Sequence, residues 1–236
     1  MSEIASVLKG AIIPKDNLKT LQIKCHLGLG DAFVMQGMVH YLLMTARYRK
    51  IVINSRKAYL PDMERLYHHV RSSIEFQVHE EYGPAPEDWK GADEIIRLGY
   101  FSGDKSFYVP TWDREFYRQA KIPFVNRWLH CYIPHPAEPL KRRDFVIRHH
   151  DPARKFLTEG LKPDMDICVG ERERILDWVP ELMAAKEIHC IDSCVLSLVE
   201  SMWHLQMIRP DATLCYHAYA RQDPPATMLA PWKVLK

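Results

Sequence analysis

The chain has 236 residues, of which 47% are hydrophobic and 11% aromatic, so it can form one large domain or two compact ones with real cores. Its 32 Lys and Arg nearly balance its 30 Asp and Glu, and the net charge of +2 gives no overall indication of a nucleic acid or an anionic membrane as partner. The six cysteines include no C-x-x-C pair, which favours buried free thiols in a reducing compartment over a disulfide framework or a zinc site.

The ends and the apolar runs of the sequence predict a soluble, cytoplasmic protein. The N-terminus lacks the basic region and the cleavage site of a secretory signal. The longest uncharged run, residues 32–46, is shorter than the roughly 20 residues of a membrane span. We therefore expect no membrane insertion.

The first half of the chain alternates strand and helix patterns. Residues 18–26 are predicted to form a strand, followed by a glycine turn and a helix over residues 32–46 with apolar residues at helical spacing. Further strands are predicted at residues 50–53, 74–78 and 94–98, and a short helix at residues 61–69. Strands that alternate with helices imply a mainly parallel sheet covered by helices.

The second half repeats this alternation after a proline-rich segment. Residues 112–120 are predicted to be helical and residues 127–133 extended, and three prolines within residues 134–139 predict a linker. Beyond it, strands are predicted at residues 144–149, 165–169, 188–191 and 213–217, and a helix at residues 174–185. The sequence therefore predicts an α/β protein of two small Rossmann-like domains, residues 1–135 and 140–236, facing across a cleft.

Residues 188–193 read as a short apolar strand followed by an Asp-Ser turn and a helix. Asp192 or Ser193 would be the N-cap, and the helix N-terminus would offer backbone N–H groups to a phosphate. An ordinary capped turn is the alternative, because Asp and Ser are common caps. Ser193 or Cys194 as a nucleophile is disfavoured, since no G-x-S-x-G elbow and no assigned base accompany them.

Residues 26–31 place two glycines and an acid between the first strand and the first helix. Gly28 and Gly30 would let the backbone approach a ligand, and Asp31 could face a cleft or could simply cap the helix. The segment is not a dinucleotide fingerprint, because the next glycine, Gly37, falls too late and no acidic residue ends the second strand. An NAD-type oxidoreductase is therefore disfavoured.

Two further charged segments could bear on a phosphate ligand. Arg154 and Lys155 follow a predicted strand, and such cations can stabilise a pyrophosphate leaving group when no metal does so. A solvated loop with Arg154 paired to Asp151 is the alternative. Asp164 and Asp166 match a D-x-D pattern, but they precede a strand rather than follow one, and we interpret the match as chance.

Taken together, four segments resemble the heptosyltransferase-like glycosyltransferases of the GT-B fold, particularly small bacterial and phage proteins. They are residues 26–31, 113–127, 150–156 and 187–193. The chain departs from that pattern at Cys194 and Ser197, where a second Ser or Gly and a His are usual, and it is short for two full domains.

The resemblance implies an inverting, metal-independent transfer of a sugar from a nucleotide-sugar donor to an acceptor hydroxyl, with no cofactor. It implies that Asp31 is the general base. The residues that it assigns to the donor and its phosphates are Arg154, Lys155, Asp192, Ser193, Gly28 and Gly30. A catalytically inactive nucleotide- or sugar-binding protein of the same fold is the alternative.

Overall fold

The computed structural model describes residues 18–25, 28–80, 87–103, 111–134, 144–150, 164–168, 174–220 and 226–236. One sheet has the strand order β3-β2-β1-β4, with β1 (Lys19–Lys24), β2 (Tyr48–Arg56), β3 (Ile74–His79) and β4 (Glu94–Arg97). The other has the order β6-β5-β7-β8-β9, with β5 (Val146–His150), β6 (Met165–Cys168), β7 (Glu187–Cys190), β8 (Thr213–His217) and β9 (Lys233–Leu235). All of these strand pairs are parallel, which confirms the predicted α/β class.

Helices lie between several of the strands in the described part of the chain. They are α1 (Leu29–Met44), α2 (Leu60–Leu66), α3 (Trp112–Gln119), α4 (Asn126–Leu129), α5 (Val179–Ala184) and α6 (Cys194–His204). Short 3-10 helices lie at Lys57–Tyr59, His68–Ser73, Gly99–Ser102, Ile175–Trp178 and Ala218–Ala220. In the described part of the chain, no helix is long and apolar enough to cross a membrane.

Helix α1 is buried on almost every side, which explains its apolar composition along its whole length. Met35, Met38 and Val39 have no exposed surface. At Gly37 the backbone of α4 comes so close that an added Cβ would lie 2.7 Å from the carbonyl oxygen of Arg127. Only glycine fits there, and α4 packs directly on the backbone of α1.

The prediction of an extended segment over residues 127–133 is wrong at its start, because Asn126–Leu129 is the helical turn α4. Arg127 is buried there in an ion pair with Asp113 of α3. Its guanidinium also stacks over the ring of Trp128, 4.1 Å from the centroid. The apolar and aromatic composition predicts a strand. The helical turn instead buries the ion pair of Arg127 with Asp113 and packs its backbone against Gly37 of α1.

The predicted helix over residues 174–185 is in fact two short helices. Ile175–Trp178 forms a 3-10 helix, and α5 begins at Val179 with a proline in its first turn. Proline has no backbone N–H, so it suits the first turn of a helix and not its interior. Ile175, Val179 and Leu182 are buried at helical spacing, but the segment is divided just before the proline.

The two sheets share one core. Their buried apolar side chains form a continuous cluster, and α1 from the first sheet packs against α6 from the second. Polar contacts also join the two parts, including the pair between Arg65 Nη1 and Asp177 Oδ1 at 2.5 Å. The predicted domain boundary at residues 135–140 lies outside the described residues.

Candidate functional site

Two strand–turn–helix junctions meet where α1 and α6 begin. One leads from the end of β1 into α1, and the other from the end of β7 into α6. Gly30 in the first turn of α1 lies against the first turn of α6: an added Cβ would be 3.5 Å from Cys194 Cα and 3.6 Å from Ser197 Oγ. The carboxyl ends of the strands are where open α/β sheets bind ligands, so this is the candidate site.

In the first junction a glycine and an acid form the start of α1. Gly28 is the N-cap, and its N–H donates to Asp31 Oδ2 at 3.0 Å. A Cβ at Gly28 would lie 2.9 Å from that oxygen, too close for the carboxylate to stay. Gly28 is therefore needed so that Asp31, which is half-buried, can hold its position at the helix N-terminus.

In the second junction Ser193 is the N-cap of α6. Its Oγ accepts from the N–H of Leu196 at 3.5 Å and donates to the carbonyl of Ile191 at 3.2 Å. It also lies 3.1 Å from His149 Nδ1. The two side chains share a hydrogen bond whose direction the tautomer of His149 sets. Asp192 is buried beside this turn.

His149 is a residue of this site that the sequence reading did not connect to Ser193. It is buried and lies near the carboxyl end of β5, which pairs in parallel with β7. The signal was present, since both residues follow or end apolar strands, but only the strand order places β5 beside β7. The contact does not make Ser193 a hydrolase nucleophile. Its backbone is extended (φ −169°, ψ 179°), unlike the strained elbow of that class, and its hydroxyl caps a helix.

The structure thus brings five of the residues assigned from the sequence to one place: Gly28, Gly30, Asp31, Asp192 and Ser193. Arg154 and Lys155 lie outside the described residues, as does Asp151, the alternative partner of Arg154.

The D-x-D pair has structural contacts at the start of β6. Asp164 Oδ2 accepts from the N–H of Val146 at 2.8 Å. The carboxylate of Asp166 accepts two hydrogen bonds from Arg148, at 2.6 and 2.7 Å. These contacts agree with the interpretation of the pattern as a chance match.

Known structures share this architecture. A crystal structure of a glycosyl transferase family 9 protein from Veillonella parvula DSM 2008 matches with a TM-score of 0.60 at 10% identity, over 96% of this chain and 88% of that one. This chain has a GT-B-like glycosyltransferase fold. The iron-containing dodecameric glycosyltransferase TibC from enterotoxigenic E. coli H10407 matches with a TM-score of 0.57 at 13% identity. That match covers 85% of this chain and 58% of TibC.

No protein-family model matches the sequence, and no curated protein matches it significantly. The resemblance to heptosyltransferase-like proteins is confirmed at the level of the fold. Roles of individual residues are a separate question, because similar folds carry different functions.

Proposed function

We propose that this protein is a glycosyltransferase that moves a sugar from a nucleotide-sugar donor to an acceptor hydroxyl, with inversion and without a catalytic metal. The observation that carries the proposal is the meeting of the two junctions. Asp31 follows Gly30 in the first turn of α1, and Gly30 packs against Cys194 in the first turn of α6. A base and a phosphate site are the two parts that such a transfer requires.

Asp31 is the general base of this proposal. As the acceptor oxygen attacks the anomeric carbon, Asp31 takes the hydroxyl proton and the bond from that carbon to the diphosphate breaks. One displacement inverts the configuration of the sugar carbon. The hydrogen bond from Gly28 holds the carboxylate in position, and a carboxylate has lone pairs for more than one donor.

The donor's phosphates would lie at the N-terminus of α6. The first backbone N–H groups of a helix have no carbonyl one turn earlier, and the helix dipole favours negative charge there. Ser193 and Asp192 would contact the phosphate or the ribose, and His149 would orient the Ser193 hydroxyl. Arg154 and Lys155 would neutralise the leaving diphosphate, in place of a divalent cation.

A binding panel tests the donor side. We expect one nucleoside diphosphate or nucleotide-sugar to raise the melting temperature of the full chain, and the increment to persist in EDTA. Ser193→Ala, Arg154→Ala and Lys155→Ala should reduce that increment. Lys186→Ala is the matched control, because Lys186 is exposed at the opposite edge of the second sheet and should leave the increment unchanged. No increment with any nucleotide, or an equal loss in Lys186→Ala, would contradict the donor site.

Asp31→Asn tests the base separately. With the donor identified, transfer to an acceptor should fall by about 10²- to 10⁴-fold while donor binding stays within a few-fold. Asp211→Asn is the control, since Asp211 is an exposed acid that pairs with Arg209. Unchanged transfer in Asp31→Asn would exclude the role of base.

The second candidate is a nucleotide- or sugar-binding protein without turnover. The observation that favours it is the use of Asp31 Oδ2 to cap α1, which gives this acid a structural role without any catalysis. Under this alternative a nucleotide still raises the melting temperature, and neither wild type nor Asp31→Asn transfers sugar to a broad set of acceptors.

A further inference from the structure

A second cluster of reactive side chains lies on the face of the second sheet that points away from the core. Ile188 and Leu214 are buried in the core on one face, so their neighbours in β7 and β8 point to the other. Glu187 and His189 of β7 lie there, and the register pairs His189 with Cys215 of β8.

The donor atoms of these three residues converge. Glu187 Oε1 lies 2.7 Å from His189 Nε2, and Cys215 Sγ lies 4.0 Å from Glu187 Oε1. All three donor atoms lie within 4.8 Å of one another. His189 and Cys215 are buried, whereas the Glu187 side chain is 37% exposed.

Hydrogen bonds also support His189 at its other ring nitrogen, Nδ1. His189 Nδ1 lies 2.8 Å from His217 Nε2, and His217 Nδ1 lies 2.8 Å from Tyr219 Oη. A histidine that binds a metal through Nε2 keeps its proton on Nδ1 and donates it to a second group. Here His217 is that group, and it can pass the hydrogen bond on to Tyr219. The support that metal-binding histidines usually have is therefore in place.

We propose that Glu187, His189 and Cys215 form a binding site for a divalent transition metal of the zinc class. Thiolate, imidazole and carboxylate are the three ligand types that zinc takes in proteins. The ion would replace the proton shared by Glu187 and His189, and it would take the Cys215 thiol as thiolate with release of its proton.

Binding of an ion would require the three side chains to adjust their positions. With usual zinc bond lengths, a tetrahedral site separates nitrogen and oxygen by about 3.4 Å, and sulfur and oxygen by about 3.6 Å. The observed nitrogen–oxygen distance of 2.7 Å is shorter than the first of those values, and the sulfur–oxygen distance of 4.0 Å is longer than the second. Rotation of the partly exposed Glu187 side chain changes both distances, whereas the separation of His189 Nε2 and Cys215 Sγ, within 4.8 Å, changes only if one of these buried side chains moves. That exposure also gives the ion a route from solvent. The site does not depend on the proposed transfer reaction.

The test uses the full chain, produced without a polyhistidine tag. We expect elemental analysis to find about one equivalent of zinc or a similar metal. Replacement by Co²⁺ should give the near-ultraviolet charge-transfer band of a cobalt–thiolate bond and the visible bands of a tetrahedral ion. Cys215→Ser should remove the charge-transfer band, and Cys131→Ser, a cysteine elsewhere in the fold, should retain it.

Two further variants guard against loss of fold. Glu187→Gln changes a partly exposed group, so the protein should fold and bind Co²⁺ more weakly with the thiolate band still present. His217→Ala should lower metal affinity by about 10- to 100-fold, as loss of a supporting hydrogen bond does. Absence of metal together with absence of the cobalt–thiolate band in wild type, or persistence of that band in folded Cys215→Ser, would overturn the proposal.

Discussion

The two junctions at the candidate site cap the starts of α1 and α6 with different groups. At the start of α1, a glycine N-cap leaves room for Asp31, whose carboxylate reaches back to the Gly28 N–H. At the start of α6, Ser193 caps the helix with a neutral hydroxyl and contacts His149. The two helix starts therefore differ in the group that caps them, a carboxylate at α1 and a hydroxyl at α6, although buried Asp192 also lies next to the start of α6.

The two helices differ in their interiors as well. Helix α1 contains a buried histidine, His40, whose Nδ1 lies 2.6 Å from the carbonyl oxygen of His130. Helix α6 contains a buried acid, Glu200, which accepts hydrogen bonds from the backbone of Leu229 and Ala230. Each polar group ties its helix to a different later segment of the chain. The first helix should therefore be sensitive to acid in a way that we can test directly.

The largest expected effect is on stability, and it distinguishes two glycines of α1. Gly37→Ala should lower the free energy of unfolding by about 3 kcal/mol or more, because its methyl group would overlap the backbone of α4. Gly30→Ala should change it by less than about 1 kcal/mol, because its methyl group would make ordinary contacts with α6. Urea denaturation measures both variants. Similar losses in the two would show that the contacts of α1 with α4 and with α6 are equally tight.

The next effect concerns pH. Burial lowers the pKa of His40 from 6.5 to about 4. The unfolded chain therefore binds a proton that the folded one does not, so stability is complete above pH 6.5 and falls as the pH drops towards 4. The total for this group approaches about 3 kcal/mol. His40→Asn, which keeps a donor for the His130 carbonyl, should flatten the change in urea midpoint between pH 7 and pH 4.5. An unchanged slope would refute the assignment.

The smallest effect compares the two caps. Ser193→Ala removes the side-chain acceptor of α6, and Gly28→Ala displaces the Asp31 carboxylate from the start of α1. Each should cost about 1 kcal/mol of stability, measured by urea denaturation. The two should differ in function: Ser193→Ala weakens donor binding, whereas Gly28→Ala reduces transfer by displacing the proposed base. If Gly28→Ala weakened donor binding and Ser193→Ala affected only transfer, the roles proposed for the two junctions would be wrong.

Much of the fold could be predicted from local patterns. The strands at Ile74–His79 and Thr213–His217 lie where the sequence predicts them, and Ser193 lies at the predicted start of α6. Helix α1 begins at Leu29, three residues before the predicted start, because part of the predicted glycine turn is helical. These signals are carried by neighbouring residues, so they can be read along the chain. The parallel, helix-covered sheets followed from the alternation of strands and helices.

Other parts depend on pairing between distant segments. Arg127 lies within an aromatic run that suggested a strand, but its pairing with Asp113 buries it in a helical turn. The contact of His149 with Ser193 requires that β5 lie beside β7, and the cluster around His189 requires the register of β7 with β8. No local pattern contains that information. The cysteine pattern accordingly favours buried free thiols over a zinc site and does not single out Cys215.

The burial of α1 has a consequence for recombination. In a modular protein each half covers its own apolar surface, and halves from different relatives can be exchanged. Here the surface of α1 at Gly30 is covered by α6 of the other half, across a contact with room for little more than a methyl group. A transplanted second half must therefore have small residues at the positions of Cys194 and Ser197. Otherwise the first turn of α6 cannot pack against α1. The first turn of α6 and the start of α1 are thus inherited together.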